Sequence, residues 1–215
     1  MESIAGWYGK LPSLGDFATR RLPPDFVEPW DEWLAGGLAA WREADDAWLQ
    51  AYLSAAPWCF VLGPQVLPSR RGLGSVAPAW AGVLMPSVDR VGRYFPLTLA
   101  GPLDAPERLD PCRLARWLRA LCSLGVDALH GDWTPDELDE ALLDLSEATR
   151  PLPMPEDPPS ALRPALDHLE RHRDHALWWP PSADVGRALQ HSRGLPGGEG
   201  FARLFGGKPP TVPGG

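Results

Sequence analysis

Apolar and small residues recur at helical spacing in the first quarter of the chain. They occupy positions i, i+3, i+4, i+7, i+8 and i+11, and they are Trp30, Trp33, Leu34, Gly37, Leu38 and Trp41. This spacing predicts a helix with one apolar face, and Pro29 suits its first turn, where a missing N–H costs nothing. Such a face either packs into the core or forms a groove for a partner helix. We expect it to be mostly core.

Short apolar runs bounded by proline or glycine predict the strands of a sheet. The runs are 58–63, 79–87, 94–102 and 176–181. The segment 88–93 is long enough for a hairpin connection between the second and third runs. We therefore expect these two strands to be antiparallel neighbours.

Capping sequences mark two helices in the second half of the chain. Asp110 stands before Pro111 as an N-cap and N1 pair, and Thr134 and Glu137 have the spacing of a capping box. Further helices are predicted over about 160–174 and within 182–191. Together with a strand–turn–strand at the N-terminus, the pattern gives about five or six strands interleaved with helices, which predicts a layered α/β domain.

No internal repeat and no sharp change of composition divides the chain, so we expect one domain over residues 1–205. Residues 150–159 contain five prolines and predict an extended Pro-rich connection. Residues 206–215 have little to bury, and we expect a disordered C-terminal tail.

The charge balance argues against two classes of partner. The formal net charge is -8 and the basic residues form no tract, which disfavours nonspecific binding to nucleic acid or to anionic lipid. No apolar run approaches the roughly 18 residues of a membrane span, and the N-terminus lacks a signal-peptide pattern. The three cysteines form no CxxC pair, which fits a reducing compartment. We expect a cytoplasmic protein without membrane insertion.

Three histidines have a spacing that could hold a metal ion. His168, His172 and His175 lie at i, i+4 and i+7 of a predicted helix, and imidazoles one turn apart can share a tetrahedral ion. However, the intervening Glu170 does not match the HExxH motif, and the flanking charges are typical of a solvated helix face. We therefore expect no stoichiometric metal, with the histidines directed to water or to neighbouring carboxylates.

The sequence shows no complete set of residues for nucleophilic catalysis. Ser13, Ser75 and Ser87 lie near turns, but none is in a GxSxG motif, and no histidine precedes His130. A triad would need a tertiary contact between one of these serines and a distant histidine. The absence of an assembled base, nucleophile and oxyanion donor favours recognition between proteins over catalysis.

Four segments together resemble one known family. They are GWYGKLPSLGDF at 6–17, FVEPWDEWL at 26–34, GVLMPSVDRVGRYFPLTL at 82–99, and LWW at 177–179 followed by GLP at 194–196 and Phe201. The chain resembles the TagF family, also called ImpM, of type VI secretion-associated proteins. The resemblance implies an α/β/α sandwich and a cytoplasmic accessory protein without catalysis. We expect the sandwich to surround a mixed sheet of about five or six strands, and we expect no cofactor. It also implies a post-translational repressor whose partner is the forkhead-associated (FHA) domain scaffold protein of the secretion system.

The two longest of these segments contain turn residues that could bring them together. Gly9, Pro12 and Gly15 bend the first segment, and Gly92 and Pro96 shape a hairpin in the second. If the segments meet at one edge or end of the sheet, their polar residues line a common surface. The candidate partner-binding residues are Lys10, Ser13, Asp16, Asp89, Arg90 and Arg93.

Three alternatives stay open at this point. Asp16 and Asp89 could merely cap turns or pair with Arg20 and Arg93. The protein could instead be a hydrolase with a serine nucleophile and a distant histidine. It could also be a metal-binding module built on the histidine helix.

Overall fold

The computed structural model describes residues 4–68, 77–103, 110–147, 161–181 and 185–207. Ser75 and the predicted Pro-rich connection at 150–159 lie outside these residues, as do residues 208–215 of the predicted tail. Within the described ranges, no helix combines the length and the apolar character needed to cross a membrane.

Seven strands form one sheet in the described part of the chain. In chain order they are β1 (Gly6–Gly9), β2 (Ala18–Arg20), β3 (Trp58–Leu62), β4 (Ala79–Met85), β5 (Leu97–Leu103), β6 (His175–Trp179) and β7 (Gln190–Arg193). Their order across the sheet is β2-β1-β5-β4-β3-β6-β7. The four predicted apolar runs contain β3, β4, β5 and β6, and β4 pairs with β5 in antiparallel fashion, as predicted.

The prediction of a mixed sheet with five or six strands is wrong in number and in direction. The additional strand is β7, which falls partly in a segment that we predicted to be helical. None of its side chains is fully buried, so it lacks an apolar alternation and is a strand only because it pairs with β6. Every strand pairing among the described residues is antiparallel. The main helices are inserted between β2 and β3 and between β5 and β6, so they do not serve as crossovers between neighbouring parallel strands.

Seven helices accompany the sheet in the described ranges. They are α1 (Pro24–Ala44), α2 (Trp48–Ser54), α3 (Pro111–His130), α4 (Pro135–Glu147), α5 (Leu162–Arg171), α6 (Val185–Ala188) and α7 (Glu199–Leu204). Apolar residues of α1, α2 and α7 pack on one face of the sheet. Those of α3, α4, α5 and α6 pack on the other. The domain is therefore an α/β/α sandwich.

The tryptophan stripe of α1 lies in the first of these two cores. Trp30 and Trp41 are buried, and the half-buried Trp33 packs against Trp30 and Trp178. The prediction that the stripe is mostly core is confirmed. The helix begins at Pro24 rather than near Pro29, which lies inside it, because the additional turn packs Phe26 into the same core. Pro24 then takes the first-turn position that proline favours.

The predicted caps on the other side of the sheet are confirmed. The Asp110 side chain accepts a hydrogen bond from the Cys112 N–H at 3.0 Å. Glu137 and Thr134 form a reciprocal capping box, with the Thr134 N–H donating to Oε2 of Glu137 at 2.7 Å and the Glu137 N–H donating to Oγ1 of Thr134 at 3.3 Å. These local contacts fix where α3 and α4 begin.

Candidate functional site

Two loops at one end of the sheet meet, as the sequence predicts. The first signature loop (residues 10–17) connects β1 to β2, and the second signature loop (residues 86–96) connects β4 to β5. The close approach depends on Gly9, which has φ +134°, and a Cβ atom there would lie 2.1 Å from the Pro96 carbonyl oxygen. A glycine is therefore required where the first loop begins.

Hydrogen bonds to main-chain carbonyl oxygens join the two signature loops. The Ser87 hydroxyl donates to the Lys10 carbonyl oxygen at 2.7 Å, and the Arg90 N–H donates to the Leu14 carbonyl oxygen at 2.9 Å. The second loop is also tied to α2, because the Ser87 N–H donates to the Tyr52 hydroxyl, whose own proton goes to the Ser87 carbonyl, each at 2.9 Å. These hydrogen bonds hold both loops in a defined position relative to the sheet.

The carboxylate of Asp89 is the centre of the contact between the loops. It accepts hydrogen bonds from Lys10 Nζ at 2.7 Å, from the Val91 N–H at 3.0 Å and from the Arg93 N–H at 2.8 Å. Nε of Arg93 donates to it at 2.7 Å. Burial alone would raise the pKa of Asp89, but the hydrogen bonds from Lys10 and Arg93 outweigh burial and hold the pKa of this carboxyl well below its usual value. Asp89 is therefore ionised whenever the protein is folded near neutral pH.

Lys10 and Asp89 do not lie on the surface that we expected them to line. Both residues are 3% exposed, and the ammonium group of Lys10 also lies over the Phe17 ring at 4.8 Å. A buried ammonium and a buried carboxylate need each other, since removal of either partner would leave an uncompensated charge. The pair therefore lies beneath the exposed surface and joins the two loops there.

Three of the six candidate residues are exposed on the signature loops. These are Asp16, Arg90 and Arg93, and the Arg93 side chain is still 53% exposed although it pairs with Asp89. Arg93 also donates to the Gly15 carbonyl oxygen. The Asp16 carboxylate accepts the Phe17 N–H at 2.8 Å, so it stabilises its own turn as in the first alternative above, whereas no ion pair with Arg20 occurs among the described residues.

Two apolar residues of the same surface were missed by the sequence reasoning. Phe17 and Val91 are 44% and 64% exposed, which is unusual for large hydrophobic side chains. Phe17 directly follows Asp16, and Val91 directly follows Arg90. Their position next to candidate polar residues is the only feature of the sequence that pointed to their exposure. We call Asp16, Phe17, Arg90, Val91 and Arg93 the signature surface.

The serines of the hydrolase alternative donate their protons to backbone oxygens. The Ser13 hydroxyl donates to the Trp133 carbonyl at 2.6 Å, and the Ser87 hydroxyl donates to Lys10, as described above. His130 and Ser87 both line a groove of about 380 Å³ beside the second signature loop. None of the hydrogen bonds in the described part of the chain joins a histidine to either serine.

The histidines of the metal alternative are placed differently from our prediction. α5 ends at Arg171, so His172 is its C-cap and His175 begins β6. The side chains nevertheless converge, with Nε2 of His168 lying 3.0 Å from Nδ1 of His175. The His168 and His172 ring centres are 4.2 Å apart. The expectation that these rings are directed mainly to water or to carboxylates is therefore wrong for His168. His175 contacts His168 through Nδ1, but its Nε2 faces the neighbouring carboxylate of Asp174, with Oδ1 at 3.8 Å.

Burial lowers the pKa of His168, and the neighbouring His172, His191 and His175 lower it further. Burial and His175 likewise lower the pKa of His191.

Cys59 is a cysteine of the buried strand β3. Burial raises the pKa of its thiol, which makes it an unreactive core residue.

Comparison with known proteins places this architecture in a family. The TagF N-terminal domain family, described as type VI secretion system-associated, matches residues 6–145, which include both signature loops. No curated protein matches the chain. The crystal structure of PA0076 from Pseudomonas aeruginosa PAO1 is similar, with a TM-score of 0.69 and 33% sequence identity over 97% of each chain. The chain therefore belongs to the TagF family of type VI secretion system-associated proteins.

Proposed function

We propose that this protein is a cytoplasmic, non-enzymatic regulator of the type VI secretion system that acts by binding another protein through the signature surface. The partner is the FHA-domain scaffold of the system, and binding represses secretion after translation. Membership of the TagF family supports the association with the secretion system. The partner and the direction of regulation are those that the family resemblance implies.

One observation carries the proposal. A buried ion pair, Lys10–Asp89, locks two loops that are distant in sequence, and the exposed residues of these loops form a patch of fixed shape. Binding to a surface that is already ordered loses less conformational entropy than binding to a mobile loop. The buried charges therefore favour recognition without being contact residues themselves.

The composition of the signature surface suits a protein partner. Arg90 and Arg93 provide exposed positive charge on a chain whose formal net charge is -8, so they can orient an approaching acidic surface. Val91 and Phe17 supply apolar area beside them, and apolar or aromatic contacts ringed by polar residues are typical of interfaces.

The hydrogen bonds of the two serines favour this function over hydrolysis. A nucleophilic hydroxyl must give its proton to a base. The Ser13 and Ser87 hydroxyls both donate to main-chain carbonyl oxygens instead, and these contacts build the loops.

The direct test is calorimetric titration of the FHA-domain scaffold with the wild type and with the double variant Arg90→Glu/Val91→Ser. Both side chains are exposed, so we expect about tenfold weaker binding or more, with a Tm within about 2 °C of wild type. Arg119→Glu is the matched control, because Arg119 is an exposed arginine of α3, away from the signature loops. Arg93 is a poor test site because it contacts Asp89.

Equal affinity of the folded double variant and the wild type would contradict the proposed surface. In cells, a strain that lacks the gene should secrete more effector protein. The wild type and Arg119→Glu should restore the low level of secretion, whereas Arg90→Glu/Val91→Ser should not. A decrease in secretion on deletion would contradict repression and indicate a role in assembly.

A further inference from the structure

Four of the five histidines of this chain lie together at the edge of the sheet opposite the signature surface. His168 lies in the last turn of α5, His172 is the C-cap of that helix, and His175 begins β6. His191 lies on β7, with its ring centre 5.4 Å from that of His168. His168 and His172 are one turn apart at the end of α5, whereas His175 and His191 come from two strands, so a single helix face does not explain their meeting. We propose that His168, His172 and His175 bind one divalent transition-metal ion, with Zn²⁺ as the expected occupant.

The spacing of the nitrogen atoms fits a shared ion. Two imidazole nitrogens bound to one tetrahedral zinc ion at about 2.0–2.1 Å lie roughly 3.3 Å apart. Nε2 of His168 and Nδ1 of His175 are 3.0 Å apart, and all three histidines offer a ring nitrogen within 4.8 Å of the others. His172 is exposed, so a rotation of its ring can bring the third nitrogen to the ion.

The backbone holds these residues in position without a metal. The His172 N–H donates to the His168 carbonyl at 2.9 Å, and the His175 N–H donates to the His172 carbonyl at 3.0 Å. The turn between them is also fixed from outside, because the Gln65 N–H donates to the Arg173 carbonyl at 2.9 Å and the Gly194 N–H donates to the Asp174 carbonyl at 2.7 Å. Ligands on such a frame lose little freedom when an ion binds.

The surroundings also suit imidazole ligands. Oδ1 of Asp174 lies 3.8 Å from Nε2 of His175. Nε2 is the ring nitrogen of His175 that would not contact the metal when Nδ1 binds it. At this distance the carboxylate accepts no hydrogen bond from the ring, but its negative charge favours a cation bound to the imidazole. Arg193 holds Asp174 in place, with its Nε 2.8 Å from Oδ2. Three imidazole ligands suit Zn²⁺ and leave the fourth tetrahedral position to water. His191 lies beside His168 and is not one of the ligands.

The ion would connect the end of α5 to the start of β6. It would thus stabilise the β6–β7 edge of the sandwich, far from the signature surface. The site does not depend on the proposed binding partner.

The experiment uses the full chain, produced without a polyhistidine tag and stripped with a chelator. Titration with ZnCl₂ should give about one zinc ion per wild-type chain. His168→Ala, His172→Ala and His175→Ala should each weaken binding by about 100-fold or more, because loss of an outer partner alone costs roughly 10–100-fold. His130→Ala is the matched control, since His130 is an exposed histidine on α3, and it should bind zinc as the wild type does.

One further measurement separates loss of a ligand from loss of folding, and a second reports the geometry of the site. His172→Ala changes an exposed side chain and should keep the metal-free Tm, while losing the rise in Tm that zinc gives the wild type. Co²⁺ bound to the wild type should show the visible absorption of a tetrahedral site. Absence of saturable zinc binding by the wild type, wild-type affinity in any of the three ligand variants, or an equal loss in His130→Ala would overturn the proposal.

Discussion

Nζ of Lys10 lies 2.7 Å from Oδ2 of Asp89, and the two side chains are only 3% and 0% exposed. The two residues are 79 positions apart in the chain, so the pair fastens the first signature loop to the second. Asp89 receives further hydrogen bonds from the second loop itself. The shape of the signature surface therefore depends on two charges that solvent hardly reaches.

Loss of the buried ammonium should destabilise the fold. We expect Lys10→Met to lower the free energy of unfolding by about 3 kcal/mol, the low end of the range for a broken buried pair, because Arg93 still contacts Asp89. In Lys10→Met/Asp89→Asn both charges are removed, so part of the loss should be recovered. Urea denaturation of the two single variants and the double variant measures this coupling. Additive losses would contradict it.

The ionised Asp89 should contribute to stability in a pH-dependent way. Its pKa is held below the usual value in the folded protein, whereas the pKa of an aspartate in the unfolded chain is about 3.9. The contribution is therefore fully present above the unfolded pKa and is lost as pH falls from about 4 toward the folded pKa. The stability difference between wild type and Asp89→Asn should be constant near neutral pH and shrink below about pH 4. A difference that does not change with pH would contradict the assignment.

Two adjacent glycines of α1 should respond in opposite ways to alanine. Gly36 is exposed and a Cβ atom there would meet nothing within 4 Å, so Gly36→Ala should stabilise the protein by about 0.5–1 kcal/mol. At Gly37 the Cβ atom would lie 2.4 Å from the Phe201 ring, so Gly37→Ala should be destabilising, because Phe201 is buried and α7 would have to move. Thermal denaturation of both variants decides this, and stabilisation by both would refute the close packing of α1 on α7.

Trp30 should be the most important side chain of the α1 stripe. It is fully buried, and its indole N–H donates to Oγ1 of Thr98 at 2.9 Å. We expect Trp30→Ala to cost about 3–5 kcal/mol and Trp33→Ala to cost less, because Trp33 is only partly buried. Denaturant titration of both variants gives the comparison. A larger loss at Trp33 would indicate that the order of burial along the helix is wrong.

Local patterns in the sequence determined much of the framework. The apolar spacing of α1, the caps Asp110 and Thr134, and the apolar runs of the central strands act between residues close together in the chain, so each element could be predicted from its own segment. The start of α1 was misplaced because two prolines, Pro24 and Pro29, both suit a first turn in sequence, and only the extent of packing selects between them.

The candidate site was only partly determined in this way. The turn residues of the two long segments predicted that they meet, because glycine and proline constrain the backbone locally. The sequence could not distinguish Lys10 and Asp89, which are buried, from Arg90, which is exposed. The sequence around a charged residue is similar whether its side chain is buried or exposed. Burial of the side chain depends on a partner that is far away in the sequence.

Tertiary structure alone decided the remaining features. β7 has no apolar pattern and exists through its pairing with β6. The strand pairs are antiparallel, and the long helical segments connect strands that are not neighbours in the sheet, namely β2 to β3 and β5 to β6. The histidines converge because α5 stops at Arg171 and the chain turns back into β6. In each case the deciding interaction joins segments that only the folded chain brings together, whereas the sequence by itself determined the elements whose stabilising contacts lie within a few residues.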